Sequence, residues 1–309
     1  MRNETRGRID VFGTVMGLLA VVCWGSGPVF IRYLTGYLDA WSQNFWRYAT
    51  ALVFWLPFLF IAMRRGQVSR QVWKWALIPG IANVAMQCFW GWTFYFIEPG
   101  LGSLISRSSL IWTMMFSLVY FADERPLVKS VRFWLGIILS IAGLIGVVVL
   151  EGGFTARATI VGTALMLAAG ITWAVYSLAI RILFKDVDSR VSFTVVCLYT
   201  TAGLAVAALV FGEPGQLFGL TAGPWACMII SAVLSIALAH TFYYSSLRRI
   251  GATIPAVLLQ LSPFATLVLS VPIMGERMNI LQWVSGVVLV AGSILAIWAQ
   301  EHLGKTEIN

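Results

Sequence analysis

Charge is scarce in this chain. Only 11% of its 309 residues are Asp, Glu, Lys or Arg, against about 25% in soluble globular domains. A string of water-exposed domains is therefore excluded. Acids are scarcer still: there are 13, and none lies well inside an apolar run, which removes the commonest proton carrier of membrane pumps. There are two histidines and four cysteines. Cys23, Cys88, Cys197 and Cys227 all sit in apolar stretches without CxxC spacing, so they read as small buried hydrophobes, and neither a metal site nor a disulfide frame is expected. With one histidine inside a span, no HxxxH and no paired acids, an embedded enzyme lacks its nucleophile, base or metal cluster. No cofactor and no catalytic residue is expected. The net charge of +8 does not indicate nucleic acid either, because the cations are spread between apolar runs and not gathered on one face.

What fills the chain is hydrophobic residue, 59% of it, with a mean hydropathy of +0.84. A helix needs about 20 apolar residues to cross a bilayer. Ten such stretches are expected: 11–33, 40–63, 75–97, 100–121, 132–150, 160–183, 192–211, 224–246, 252–273 and 280–299. The first is too long for a cleavable signal and contains Trp24 and Pro28, so it reads as a span. Placing the N-terminus in the cytoplasm puts sixteen of the 21 Lys and Arg inside. Three fall outside (Arg32, Arg157, Arg277) and two within spans (Arg47, Arg107). That bias sets both termini, 1–10 and 300–309, on the cytoplasmic side of the inner membrane.

The chain also repeats itself. Gly13, Trp24 and Arg32 return as Gly162, Trp173 and Arg181, and Thr93-Phe94-Tyr95 returns as Thr241-Phe242-Tyr243. Asp123-Glu124-Arg125 is echoed by Gly275-Glu276-Arg277. Two halves follow, 11–150 and 160–299, each of five helices. An odd number inverts the second half, giving an all-α membrane fold of two inverted repeats with a site near midplane between them.

With these features the chain resembles the drug/metabolite transporter superfamily, EamA type: ten spans in two halves, Trp24 and Trp173 in the first helix of each, Arg47 early in the second, and Glu-Arg after the fourth helix of each half. The resemblance implies a secondary transporter of small organic metabolites, often an exporter of amino acids or related compounds. It also implies a proline in each fourth helix. Pro263 supplies one, but Ile111 stands at the other position, so unequal bending of the halves is expected.

Arg107 is the residue hardest to explain as packing, since an arginine on a membrane helix costs several kcal/mol without a partner or a wet cavity. Its planar fork suits a substrate carboxylate or phosphate. Against that stands snorkelling to headgroups or pairing with Glu98. Around it the expected binding set is Trp24, Gln87, Trp90, Tyr95, Trp112, Trp173, Tyr176, His240, Tyr243 and Gln260. The aromatics could equally be helix packing, the amides interhelical bonds, and His240 a proton relay or a local hydrogen-bonder. Arg47 is expected to be structural. Pro28, within Gly25-Ser26-Gly27-Pro28, is expected to interrupt the first helix as a gating kink or a static bend, and Pro263 to bend the ninth span. Glu124 and Glu276 are expected to anchor helix ends or gates. Two arginines and no deep acid favour an anion or zwitterion, such as an amino acid or organic acid, as substrate; a bare cation fits poorly without an aromatic cage. The partners expected are that small molecule and membrane lipid; a monomer suffices and a dimer is compatible. The alternatives are a phosphorylated or lipid-linked substrate held by Arg47 and Arg107, or a non-transporting sensor or assembly protein.

Overall fold

Local signals in the chain fix where four of the helices start. Asp10 accepts from the Gly13 N–H (2.8 Å), Asp39 from Trp41 and Ser42 (2.9 Å each), Ser69 from Val72 (3.3 Å) and Asp188 from Arg190 (2.8 Å). Each satisfies amide groups that an uncapped first turn would leave open. The computed structural model describes residues 10–150, 157–250 and 253–306. The expectations for residues 1–9 and 307–309, including the cytoplasmic Arg2, Arg6 and Arg8, lie outside the described residues.

In chain order the helices are α1 (Val11–Leu34), α2 (Ala40–Arg64), α3 (Arg70–Thr93), α4 (Pro99–Ile105), α5 (Ser109–Tyr120), α6 (Val131–Leu150), α7 (Arg157–Leu183), α8 (Ser189–Phe211), α9 (Ala222–Ala232), α10 (Ala239–Ile250), α11 (Thr253–Leu259), α12 (Ser262–Met274) and α13 (Ile280–Thr306). No strand occurs among the described residues. A 3-10 turn, Ser106–Ser108, joins α4 to α5, and a π-helical segment, Val233–Leu238, joins α9 to α10.

Eight stretches are long and apolar enough to cross a membrane: Val11–Leu34, Ala40–Arg64, Val131–Leu150, Ala158–Leu183, Ser189–Phe211, Ala222–Ile250, Ile254–Met274 and Ile280–Ala299. The third and fourth of the ten expected spans are not among them. In α3, Asn83, Gln87 and four tryptophans dilute the apolar residues; the fourth is cut into α4 and α5.

Packing between the halves is reciprocal. Helix α2 packs on α8, and α6 on α13. The contact of α3 with α7 is matched by that of α1 with α10, and the contact of α5 with α7 by that of α1 with α12. The tightest backbone approach at a glycine among the described residues is α6 against α13. A Cβ on Gly143 would lie 2.4 Å from the Leu289 backbone nitrogen, and one on Gly292 would lie 2.6 Å from that of Ser140. Small residues let the backbones touch, as membrane interfaces require when lipid competes for every apolar side chain.

The first helix corrects an expectation. It runs unbroken through Gly25-Ser26-Gly27-Pro28. The glycines serve contact: a Cβ on Gly25 would meet Ala265 Cβ at 2.7 Å and the Ser262 carbonyl at 3.0 Å. Thr266 Oγ1 donates to the Gly25 carbonyl (2.8 Å), so this stretch is a crossing point with α12.

Candidate functional site

The run of serines in the fourth apolar stretch bends the helix against itself. Ser103 Oγ donates to the Gly100 carbonyl (2.9 Å) and Ser106 Oγ to the Ser103 carbonyl (2.6 Å). Hydroxyls that bond back into the preceding turn compete with the helical ladder and bend it. In the second half Pro263 opens α12, cannot donate, and leaves a turn at Gln260 and Leu261. Both fourth helices therefore break. Serines do in the first half what proline does in the second: each takes its helix out of regular α geometry.

Arg107 bridges the two breaks. Its Nη1 donates to the Leu259 carbonyl (3.0 Å), while Nη2 and Nε donate to Ser106 Oγ (3.0 and 3.3 Å). The side chain is half-buried and turned inward, so it does not snorkel. Nor does it pair with Glu98, whose carboxylate is held by Arg32 Nη2 at 2.7 Å. Among the described residues Arg107 has no acidic partner within ion-pair distance. Close in sequence to this crossing, three polar atoms are buried without partners: Ser108 Oγ, Trp112 Nε1 and Gln260 Oε1. Buried polar groups are seldom left so. A cation without a counter-charge and orphaned hydrogen-bonding groups make this an incomplete polar environment.

An aromatic group forms where α1, α8 and α10 meet. His240 stands edge-on to Trp24 (5.1 Å) and stacks on Phe193 (3.9 Å), and Tyr243 packs on Trp24 (5.2 Å). His240 Nδ1 lies 2.6 Å from the Ile236 carbonyl. A carbonyl only accepts, so Nδ1 carries the proton and Nε2 is the bare nitrogen. On α3, Gln87 donates to the Tyr48 hydroxyl (2.6 Å), and Asn83 donates to Thr200 Oγ1 (3.0 Å). Tyr244 lies near Tyr48, Tyr176 and Tyr243. Trp173 packs on Tyr176 (5.4 Å).

Sequence reasoning passed over Tyr48, Asn83, Phe193, Thr200 and Tyr244. Asn83 and Gln87, one helical turn apart on the same apolar helix, were the available signal. Phe193 and Tyr244 gave none, being aromatics among many.

Other expected residues stand elsewhere. Tyr95 donates its hydroxyl to the Leu38 carbonyl (2.6 Å), tying down the α1–α2 connection. Trp90 sits edge-on to Phe94 (5.2 Å) in a packed cluster. Arg47 is buried and donates to Ser231 Oγ (2.7 Å) and Ser235 Oγ (2.8 Å), fastening α2 to the π segment. Glu124 pairs with Arg181, whose guanidinium also covers the Phe121 ring. Glu276 accepts from the Gly100 and Leu101 amides (2.9 and 3.1 Å) and from Ser270 Oγ (2.5 Å), closing the start of α4. Gly275, at φ 70°, adopts the left-handed turn that aims it there. Glu276 lies beyond the end of α12, and burial raises its pKa against those hydrogen bonds.

Two clefts lie away from these groups. One, of about 270 Å³, is lined by Phe45, Trp46, Ala205, Leu209, Pro214, Gly215 and Phe218. The other, of about 300 Å³, is lined by Phe12, Ser245, Arg248 and Arg249. Neither is lined by any of the eleven expected binding residues. Among the described residues no three His, Cys, Asp or Glu side chains converge to hold a metal.

Comparison with known proteins places this architecture. A solved crystal structure superposes with a TM-score of 0.64 over 94% of this chain and 98% of its own, at 17% identity, which speaks to the fold alone. The uncharacterized transporter YyaM of Bacillus subtilis is 20% identical, over 86% of this chain and 87% of its own. An uncharacterized transporter of Archaeoglobus fulgidus is 23% identical, over 92% and 96%. The family model described as the EamA-like transporter family matches residues 11–149 and again 160–298. With nearly the whole chain matched in two consecutive copies, the protein is a multi-pass membrane transporter and belongs to the EamA-like transporter family.

Proposed function

We propose that the protein is a secondary carrier that moves a small organic anion or zwitterion, of amino acid or organic acid type, by alternating access between two inverted five-helix halves. Ten spans cross the inner membrane with both termini in the cytoplasm, and export is the direction that the family resemblance favours. The observation that carries the substrate class is Arg107, at the crossing of two broken helices with no carboxylate of its own. Arginine in such a place recruits a carboxylate through two parallel N–H bonds. The orphaned Gln260 Oε1 and Ser108 Oγ offer further hydrogen bonds, and Trp24, His240 and Tyr243 supply walls. Reciprocal packing and the breaks in both fourth helices support the paired-half mechanism. Arg47 is buried and fastened across to Ser231 and Ser235, so it is built into the helix packing and does not support a two-arginine clamp on a lipid-linked head group.

The test is flux into proteoliposomes of radiolabelled amino acids, organic acids and amines, with wild type and Arg107→Met. A carboxylate-bearing substrate is expected to move with wild type and to lose at least tenfold in affinity with the variant. A charge-assisted hydrogen bond is worth about 1.5–3 kcal/mol, and about 1.4 kcal/mol is tenfold. Transport confined to amines, or a carboxylate moved equally by both proteins, overturns the proposal.

A further inference from the structure

The cleft at the end of the bundle where α1 begins and α10 ends is unlike the rest of that surface. Its lining is two arginines, a hydroxyl and one aromatic ring: Arg248, Arg249, Ser245 and Phe12. Arg249 spends one N–H on Asp10 Oδ2 (3.0 Å) and lies over the Phe12 ring, 4.6 Å from its centre. Arg248 makes no hydrogen bond or ion pair among the described residues. Asp188 attracts it at longer range but is paired with Arg190 at 3.4 Å. The cleft therefore carries cationic donors in excess of its acids.

An apolar track leaves the same place. Phe12, Val15, Leu19 and Val22 fall at i, i+3, i+7 and i+10 on α1, and all are exposed, between 38% and 55%. At about 1.5 Å per residue the track runs about 15 Å, the depth of one leaflet of a hydrocarbon core about 30 Å thick. A phosphate-sized basic cleft with an acyl-length stripe beneath it matches one molecule.

We propose that this cleft binds the phosphate of an anionic phospholipid, held by Arg248 and Arg249, with an acyl chain lying along the Phe12–Val22 face of α1. The site is separate from Arg107 and does not depend on the substrate proposed above. Asp10 competes with the phosphate for Arg249. The lipid thus loosens the Asp10–Arg249 ion pair that ties the start of α1 to the end of α10.

Native mass spectrometry of the full chain in detergent tests this with phosphatidylglycerol, phosphatidylcholine and soluble glycerol 1-phosphate as probes. Wild type is expected to retain phosphatidylglycerol over phosphatidylcholine. A cation near the membrane surface is worth about fivefold, so Arg248→Gln and Arg249→Gln are each expected to cut retention about that much. Asp10→Asn is expected to raise it: the amide oxygen still caps α1 through the Gly13 N–H, while Arg249 is released. Val15→Ser is expected to lower retention with the arginines intact. Equal retention of the two lipids, or no loss with Arg248→Gln in a protein that melts like wild type, overturns the proposal. Displacement of the lipid by equimolar glycerol 1-phosphate makes this a free-phosphate site and overturns it as well.

Discussion

Gly143→Ala tests the closest approach of a glycine to another helix's backbone among the described residues. The added methyl would sit 2.4 Å from Leu289 N, 2.6 Å from the Ser285 carbonyl oxygen and 2.7 Å from Leu289 Cα. All three are backbone atoms, so no side chain can swing aside. Carbon contacts sit best at about 3.5–4.0 Å, so α6 and α13 must part by about 1 Å. A gap of that size forfeits a quarter to a half of each affected dispersion contact, and inserting a methylene into a full interface costs about 1–3 kcal/mol. The upper end is expected here, because Gly136, Gly146 and Gly292 leave the same seam no slack and the 3.3 Å Ser140–Ser293 hydroxyl contact opens with it. Thermal unfolding of the detergent-solubilised protein should show a clear fall in melting temperature. Gly215→Ala is the control, since nothing lies within 4 Å of its Cβ position. A Gly143→Ala protein that melts with the control refutes the reasoning, because the helices cannot then be in backbone contact.

Three further outcomes follow from named contacts. Arg47→Ala strands the Ser231 hydroxyl, leaves Ser235 only its bond to the Ser231 carbonyl, and should cost about 1–3 kcal/mol, whereas Arg47→Lys should recover part of it; equal melting of all three proteins refutes the clamp. Asp39 lies outside the spans; burial alone would raise its pKa, but hydrogen bonds from Ser42, Glu213 and Trp41 outweigh that and hold it below the usual 3.8. Its stabilisation is therefore complete above that value and lost as pH falls through the lower folded one. Asp39→Asn should be less stable than wild type at neutral pH, and the difference should vanish in acid; a constant difference on pH-resolved melting curves refutes it. Glu276→Ala removes the acceptor for two amides at the start of α4 and should destabilise by about 1 kcal/mol, with Glu276→Gln intermediate on the same measurement.

Much of this was legible because membrane chains write their boundaries plainly. Apolar runs, the repeat of Trp24 as Trp173, and the isolation of Arg107 could all be read from residue type. What escaped depends on where side chains turn. Nothing in one sequence says that Glu98 goes to Arg32, leaving Arg107 without it, or that Tyr95 spends its hydroxyl on Leu38. The glycines around Pro28 looked like a break because their meaning lay in the other half of the chain, Gly25 against α12 and Gly27 against Ser235 of the π segment. The cap at Asp39 recurs at Asp188, a correspondence missed because a capping residue carries no hydrophobic signal.

The π segment at Val233–Leu238 has a consequence for anyone aligning the two halves by counting. A π turn accommodates one residue more than an α turn, and each residue in an α-helix advances the side-chain direction by about 100°. His240 and Trp92 share a place in the count but need not share a compass bearing. Deleting a single residue from that turn should swing His240, Tyr243 and Tyr244 together away from Trp24 and Phe193, leaving composition almost untouched while dismantling the aromatic wall.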